Sequence, residues 1–342
     1  MEDCGESDLE SCIAAVAWDG GVSEGALQAT CEMDTWQTGI KRIESWKGEQ
    51  AVEIGGYLEF ERYNGGEYYP DLLHLNTTRN AILLAILEKG YKKVRIPKYL
   101  GSSVRGMLFR ENIPFETYRV TASLTPDFSD PPDSDEGVLL VNYFGQLGNA
   151  ELKSFLLQYS NVIIDNTQAF FQQPVRSLDT VYNCHKYFGV ADGAYLSLSG
   201  SSKFYSTLQT DRSHLRMQHL LGRFECSAAE YYDTFRANDD ALNYEPIKKM
   251  SRLTQNILGS ISYRNVVQRR SKNFDILHKA LHSVNQMEVK NRAGLYMYPL
   301  LLEQGHALKK ELIRRQIYVP TLWPNVLDEC RPEDFEYKLA DN

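Results

Sequence analysis

Asn161-Val-Ile-Ile164-Asp165-Asn-Thr-Gln168-Ala-Phe-Phe171 is the stretch whose reading decides the fold. A short apolar run that ends this abruptly in polar residues reads as a strand buried on both faces, the kind found in parallel sheets. In open α/β sheets ligands gather at the carboxyl ends of the strands, which is where Asp165 emerges. A second short strand, Thr180-Val-Tyr-Asn183-Cys184, leads into His185-Lys186-Tyr-Phe-Gly189-Val-Ala-Asp-Gly193. The pattern thus delivers a carboxylate (Asp165), an amide (Gln168) and an amine (Lys186) to one pocket.

Working outward, helical and strand patterns alternate from Gly55 onward. Ala81–Leu87 and Val104–Arg110 read as helices, and Lys93–Pro97 and Phe115–Val120 as strands. A Pro/Asp-rich loop, Pro126–Asp135, precedes the apolar Val138–Gly145, then a helix-like Leu152–Leu157, then the Asp165 strand and one further strand at Ala194–Leu198. This βαβ rhythm predicts a three-layer α/β/α fold with a mainly parallel central sheet. Beyond about residue 225 longer, charged helical stretches take over (Lys248–Ile261, Asn265–Leu281, His306–Arg315), with a strand expected at Leu295–Leu302. The expected organisation is a peripheral extension over 1–54, a large domain over 55–225 and a smaller C-terminal α+β subdomain over 226–342.

Composition bounds the function. The chain has 342 residues, enough for a substantial core, and 43% apolar with 24% charged residues is ordinary for a soluble globular protein. A formal net charge of −8 argues against general nucleic-acid binding, so any phosphate site must be built locally. The six cysteines are scattered without a C-x-x-C pair, which suggests neither a disulfide framework nor a metal site and points to reduced thiols in the cytoplasm. The amino terminus is acidic and no apolar stretch approaches the ~20 residues of a membrane span, so a membrane partner is not expected.

A carboxylate able to pair with a ring nitrogen, together with a lysine able to form a Schiff base, is the minimum equipment of a pyridoxal 5′-phosphate (PLP) site. For its phosphate, Leu75-Asn-Thr77-Thr78-Arg79-Asn-Ala81 places hydroxyls and a cation at the start of an apolar helix. The plainer reading is that Thr77 caps that helix. Tyr99, after Ile96-Pro-Lys, sits where an aromatic could stack on a planar ligand, or where a tyrosine fills the core. Asp165 taken singly could be a helix cap, and Lys186 a solvated surface lysine. His185 is assigned no catalytic duty.

Over roughly residues 55 to 325 the chain resembles the DegT/StrS-type PLP-dependent sugar aminotransferases, which have the aspartate aminotransferase fold (PLP fold type I). The resemblance rests on Asp165-Asn-Thr-Gln168-Ala169, on Lys186 ahead of Gly189-Val-Ala-Asp-Gly193 and, more loosely, on Thr77-Thr78-Arg79 and Pro97-Lys-Tyr99. It implies that Asp165 holds the pyridine nitrogen protonated, that Lys186 carries the cofactor, and that Gln168 contacts or flanks the ring hydroxyl. It further implies that Thr77, Thr78 and Arg79 take the phosphate, Tyr99 the ring face, and Asn183 the place of a missing serine donor. Thr78 stands where the family has a glycine, which leaves less room for the backbone to approach phosphate. The activity implied is transfer of an amino group, with glutamate the expected donor, to a nucleotide-linked keto sugar in amino-sugar or polysaccharide biosynthesis, by a homodimer. Asn243 stands near the place of the asparagine that a partner chain supplies to the phosphate, and the chain is expected to stop short of the family's usual C-terminal elements. Two alternatives remain open from the sequence: a PLP-dependent sugar dehydratase of the same fold, in which histidine replaces the lysine, and a cofactor-free binding or scaffold relative. No G-x-G-x-x-G follows the first strand, which disfavours a Rossmann nucleotide binder.

Overall fold

The computed structural model describes residues 56–159 and 161–341, so the expected 1–54 extension lies outside the described residues. Residues 63–342 form one compact unit. Within it eight strands form one sheet: β1 (Leu73–Leu75), β2 (Lys93–Pro97), β3 (Phe115–Val120), β4 (Pro126–Asp127), β5 (Glu136–Val141), β6 (Val162–Asp165), β7 (Asp179–Asn183) and β8 (Ala194–Ser197). Their order is β1-β8-β7-β6-β5-β2-β3-β4. The pairs from β7 through β6, β5 and β2 to β3 are parallel, whereas β8 runs antiparallel to both β1 and β7. Because β8 reverses twice, β1 points the same way as β7. The carboxyl ends of β1, β2, β3, β5, β6 and β7 therefore share one edge.

The central strands are buried along their whole length because helices cover the sheet. Every residue of β5, β6 and β7 is buried, and alternation appears beyond them, in β2 and β3. Helix α1 (Thr78–Lys89) shows the same logic, with a continuous buried run from Asn80 to Ile86 packed under β1, β7 and β8. It starts where the Thr77 side chain accepts from Asn80 N, and it stops where Gly90 adopts the left-handed conformation, φ 67°. Burying one Leu or Ile of such a run contributes about 1.5–3 kcal/mol. Truncating Ile163, at 0% exposure, to alanine would cost about 2–5 kcal/mol through the cavity left behind.

Helix α2 (Ser102–Arg110) follows β2, and α3 (Asn149–Gln158) follows β5. The remaining helices are α4 (Gln218–Glu225), α5 (Tyr232–Leu242), α6 (Arg252–Leu258), α7 (Tyr263–Leu281), α8 (Gly305–Arg314), α9 (Val326–Glu329) and α10 (Phe335–Asp341). The strand expected over residues 295–302 does not form. Its backbone groups are taken by side chains instead: Arg270 donates to Tyr296 O (3.1 Å), Asn285 Nδ2 donates to Pro299 O (2.9 Å), and Leu301 N donates to Asn285 Oδ1 (3.0 Å). Pro299, which has no N–H, could not have joined a ladder.

Candidate active site

Three loops at the shared sheet edge build the site. The loop after β6 begins with Asp165, 7% exposed, whose Oδ1 accepts from Thr167 N at 2.9 Å. The adjacent register Asp165↔Val181 sets the end of β7 beside it. From that end, Asn183 organises the turn into Lys186: its Oδ1 accepts from Lys186 N (2.8 Å), and its Nδ2 donates to Thr78 Oγ1 (2.8 Å) and faces His185 Nε2 (3.2 Å). One amide thus ties the start of α1 to the lysine-bearing turn. The His185 ring is left with Nε2 as acceptor, a tautomer assigned from this contact.

The electrostatics follow from burial. Removal from water raises the Asp165 carboxyl above its usual range, against the Thr167 hydrogen bonds and the Lys186 cation, which pull it down. The same desolvation lowers Lys186, against the fields of Asp165 and Asp239. Each charge thus lies in the other's field, and desolvation outweighs their attraction at both. His185 is pushed down to about 4, by burial first and then by Lys186, Arg79 and His219, so it is neutral near pH 7. Lys186 Nζ also lies 5.8 Å from the centroid of the Tyr296 ring, a long cation–π contact that brings the 295–298 segment to the site.

Gln168, 2% exposed, accepts from Phe144 N through Oε1 at 2.6 Å. Phe144 adopts φ 54°, a strained conformation for a residue with a side chain, in the turn just past β5. The amide side of Gln168 is different: Nε2 is buried and has no hydrogen-bond partner. Asn166 Nδ2 and Thr167 Oγ1 are likewise buried without an aligned bond, although they lie close to Tyr182 and Asp165. A buried unpaired donor is costly, and Gln168 Nε2 marks a place where an acceptor belongs.

The other residues singled out from sequence are placed as follows. The Thr77 hydroxyl accepts from Asn80 N (3.2 Å) and so caps α1. The backbone amides of Thr78 and Arg79 fall in the first helical turn, where no preceding turn supplies an acceptor. Arg79 donates to Asn243 Oδ1 of the same chain, and burial lowers its guanidinium while Asp239 raises it. Tyr99 is 1% exposed, edge-on to Trp323 (centroids 4.6 Å) and tilted against Tyr143 (5.4 Å). Its hydroxyl donates to Leu339 O at 3.2 Å. The structure therefore brings Asp165, Lys186, Asn183 and Thr78 together, with Tyr99 buried against Tyr143 and Trp323.

Sequence reasoning missed Asn142. Fully buried, it donates to Leu147 O, Asn166 Oδ1 and Gln172 Oε1, each at 3.0 Å, and fixes the two loops after β5 and β6 to one another. Its only signal was an asparagine at the end of an apolar strand. Two clefts, of about 510 Å³ beside Asp211 and Lys248 and about 370 Å³ beside Ala169 and Arg292, are lined by neither Asp165 nor Lys186. Among the described residues, no group of three His, Cys, Asp or Glu could hold a metal ion, and no helix is long and apolar enough to cross a membrane.

No family model and no curated protein matches the chain. Solved structures do. The sugar aminotransferase CalS13 from Micromonospora echinospora is 14% identical with a TM-score of 0.53, over 80% of both chains. A DegT DnrJ EryC1 StrS aminotransferase from Brucella abortus is 12% identical with a TM-score of 0.51, over 98% of this chain and 89% of that one. NtdA from Bacillus subtilis, solved with bound cofactor PMP, is 11% identical with a TM-score of 0.54, over 98% of this chain and 76% of that one. Together with the strand order, these likenesses establish the architecture: the chain is similar in fold to the sugar aminotransferases and has the α/β fold of PLP fold type I.

Proposed function

We propose that the protein is a PLP-dependent aminotransferase that moves an amino group from an amino-acid donor, with glutamate as the reference case, to the keto group of a nucleotide-linked sugar. The observation that carries this reading is the pairing of a buried acid at the end of β6 with a buried amine on the turn after β7, each within the other's field. The residues fit the cofactor. Asp165 has an oxygen to spare beyond its bond from Thr167 N, and Gln168 Nε2 lacks an acceptor. Thr78 and Arg79 supply first-turn amides and a cation, although the Thr77 hydroxyl is already committed to its cap.

When bound, PLP supplies an electron sink for the negative charge that develops at the donor's Cα. Asp165 would hold a proton on the ring nitrogen through its ionised carboxylate. Lys186 Nζ, which burial shifts toward the neutral form, would anchor the cofactor and then take up the proton released at Cα. Gln168 Nε2 would donate to the ring hydroxyl, and Asn183 would keep the lysine turn joined to α1. His185 does not take the lysine's place, because its Nε2 is occupied by Asn183 and Lys186 stands in register beside it. We further take the protein to be a cytoplasmic homodimer.

The test is a visible absorption spectrum of purified protein with PLP. Wild type should develop a band absent from free PLP and lose it when glutamate is added, and Lys186→Ala should develop none. A wild-type spectrum equal to that of free PLP would reject the reading. A band that no amino acid discharges would reject transamination.

A further inference from the structure

We infer that Tyr296 is a positioning residue for the Lys186 amine and that Arg270 holds Tyr296 in place, an inference whose catalytic meaning rests on the aminotransferase reading. Lys186 Nζ lies 5.8 Å from the centroid of the Tyr296 ring, inside the ~6 Å over which a ring face attracts an ammonium. Tyr296 belongs to the segment over residues 295–302 that forms no strand, so its place is set by other contacts. Those contacts come chiefly from α7. Arg270 Nη1 donates to Tyr296 O (3.1 Å), and Leu295 O lies 3.5 Å from the same nitrogen. Gly294 N donates to Ser271 Oγ at 3.2 Å. Gly294 takes φ 64°, and a Cβ there would fall 2.5 Å from Phe171 Cδ2. A residue without a side chain therefore lets the chain close down on Phe171 two positions ahead of Tyr296.

Arg270 also joins this segment to the lysine turn. Its guanidinium lies 4.6 Å from the centroid of the Tyr187 ring and 6.0 Å from that of Tyr296, and the two rings are 5.6 Å apart at 51°. Tyr187, next to Lys186 in the chain, is fixed in turn, since its hydroxyl accepts from Phe170 N at 3.2 Å. A planar, permanently charged group that stacks on rings and donates to carbonyls suits this place, and a lysine would not do both. One cation thus couples the ring that follows Lys186 to the ring that faces its amine.

The charges around Lys186 show what a ring face adds. Asp165 on β6 and Asp239 on α5 favour its ammonium form, and desolvation opposes it. His185 beside it is neutral near pH 7 and is itself in the field of Arg79 at the start of α1. Under the proposed mechanism Asp165 pairs with the ring nitrogen of the cofactor, which takes the nearest counter-charge from the free amine. The Tyr296 face then still attracts the ammonium. It does so without occupying a lone pair, so a deprotonated Nζ stays open to the proton released at Cα.

The experiment is competitive acetylation of the full chain before PLP is added, with the Lys186 peptide followed by mass spectrometry as a function of pH, in wild type, Tyr296→Phe and Tyr296→Leu. Phenylalanine keeps the ring and leucine keeps only the apolar bulk, so the two variants differ in the π face. Tyr296→Phe should match wild type. In Tyr296→Leu the amine should titrate about 0.5 pH units lower or more, and so react about threefold faster below its midpoint. Tyr296→Met serves the same comparison if the leucine variant does not fold. Repeated in an Arg270→Leu background, the Tyr296→Leu change should no longer move the titration. An unmoved amine in Tyr296→Leu, or equal shifts in the phenylalanine and leucine variants, would overturn the role of the ring. The same shift with and without Arg270 would overturn the role of Arg270. The PLP spectrum of wild type, recorded separately, tests the aminotransferase reading: its failure there would leave the placement of the amine by Tyr296 standing.

Discussion

Asp165 and Asp192 are both buried aspartates near the ends of the same sheet, and burial raises both carboxyls, yet they are finished differently. Asp192, at 0% exposure, accepts from Ser251 N and Ser251 Oγ (2.8 Å each) and from Thr254 Oγ1, and Ser251 in turn caps α6. Asp165 accepts one aligned bond, from Thr167 N, and has an amine in its field and an unpaired donor, Gln168 Nε2, in the residues that follow. Equal burial with unequal satisfaction separates an acid that holds the fold together from one kept open for a ligand.

The sharpest way to break this comparison is Lys186→Ala. Loss of a proton-carrying amine should lower turnover by about 10²–10⁴-fold, measured in a coupled amino-transfer assay, while the melting temperature holds or rises because a desolvated charge is removed. A parallel fall in melting temperature would place Lys186 with the structural residues. Next comes the pair Asp192→Ala and Asp165→Ala in urea unfolding. The first strands several donors and should cost about 3–4 kcal/mol, the second strands chiefly Thr167 N and should cost about 1 kcal/mol. Equal losses would erase the distinction.

A pH series sharpens it further. His185 titrates at about 4 in the folded chain against 6.5 as its ordinary value, so between these the unfolded chain binds the extra proton. Stability should therefore fall as pH drops from 6.5 toward 4, by up to about 3 kcal/mol, and His185→Gln should flatten that limb. Asp165 works with the opposite sign: its raised carboxyl means that the unfolded chain loses the proton first, so its contribution falls as pH rises through the carboxylate range. The smallest effect belongs to Tyr99→Phe, which removes only the bond to Leu339 O and should cost about 0.5–1.5 kcal/mol with no change in the PLP band. A lost band would return Tyr99 to the cofactor site.

The parts of the fold legible in sequence are those whose partners are close in the chain or whose burial is complete. β2 and β3 keep the expected bounds, because alternating burial gives them a period of two, and β6 and β7, buried on both faces, shift by one residue. β1 was invisible: three residues after Pro70 that become a strand only by pairing with β8, about 120 positions later. The Leu295–Leu302 run carried a strand's composition but not a strand's partners, since side chains of Arg270 and Asn285 claim its backbone. Asp165 ends β6 and Lys186 follows the end of β7 by three residues, positions that the strand patterns alone mark out. The threefold role of Asn142 and the cap made by Thr77 depend on donors that only the folded chain brings near.

Borohydride reduction of the protein incubated with PLP, followed by peptide mass mapping, tests the central claim most directly. The account predicts the added cofactor mass on the peptide containing Lys186, and a much lower yield at the same PLP concentration for Asp165→Asn, which cannot balance a protonated ring. Label spread over surface lysines, or label on Lys186 that is indifferent to Asp165, would contradict it.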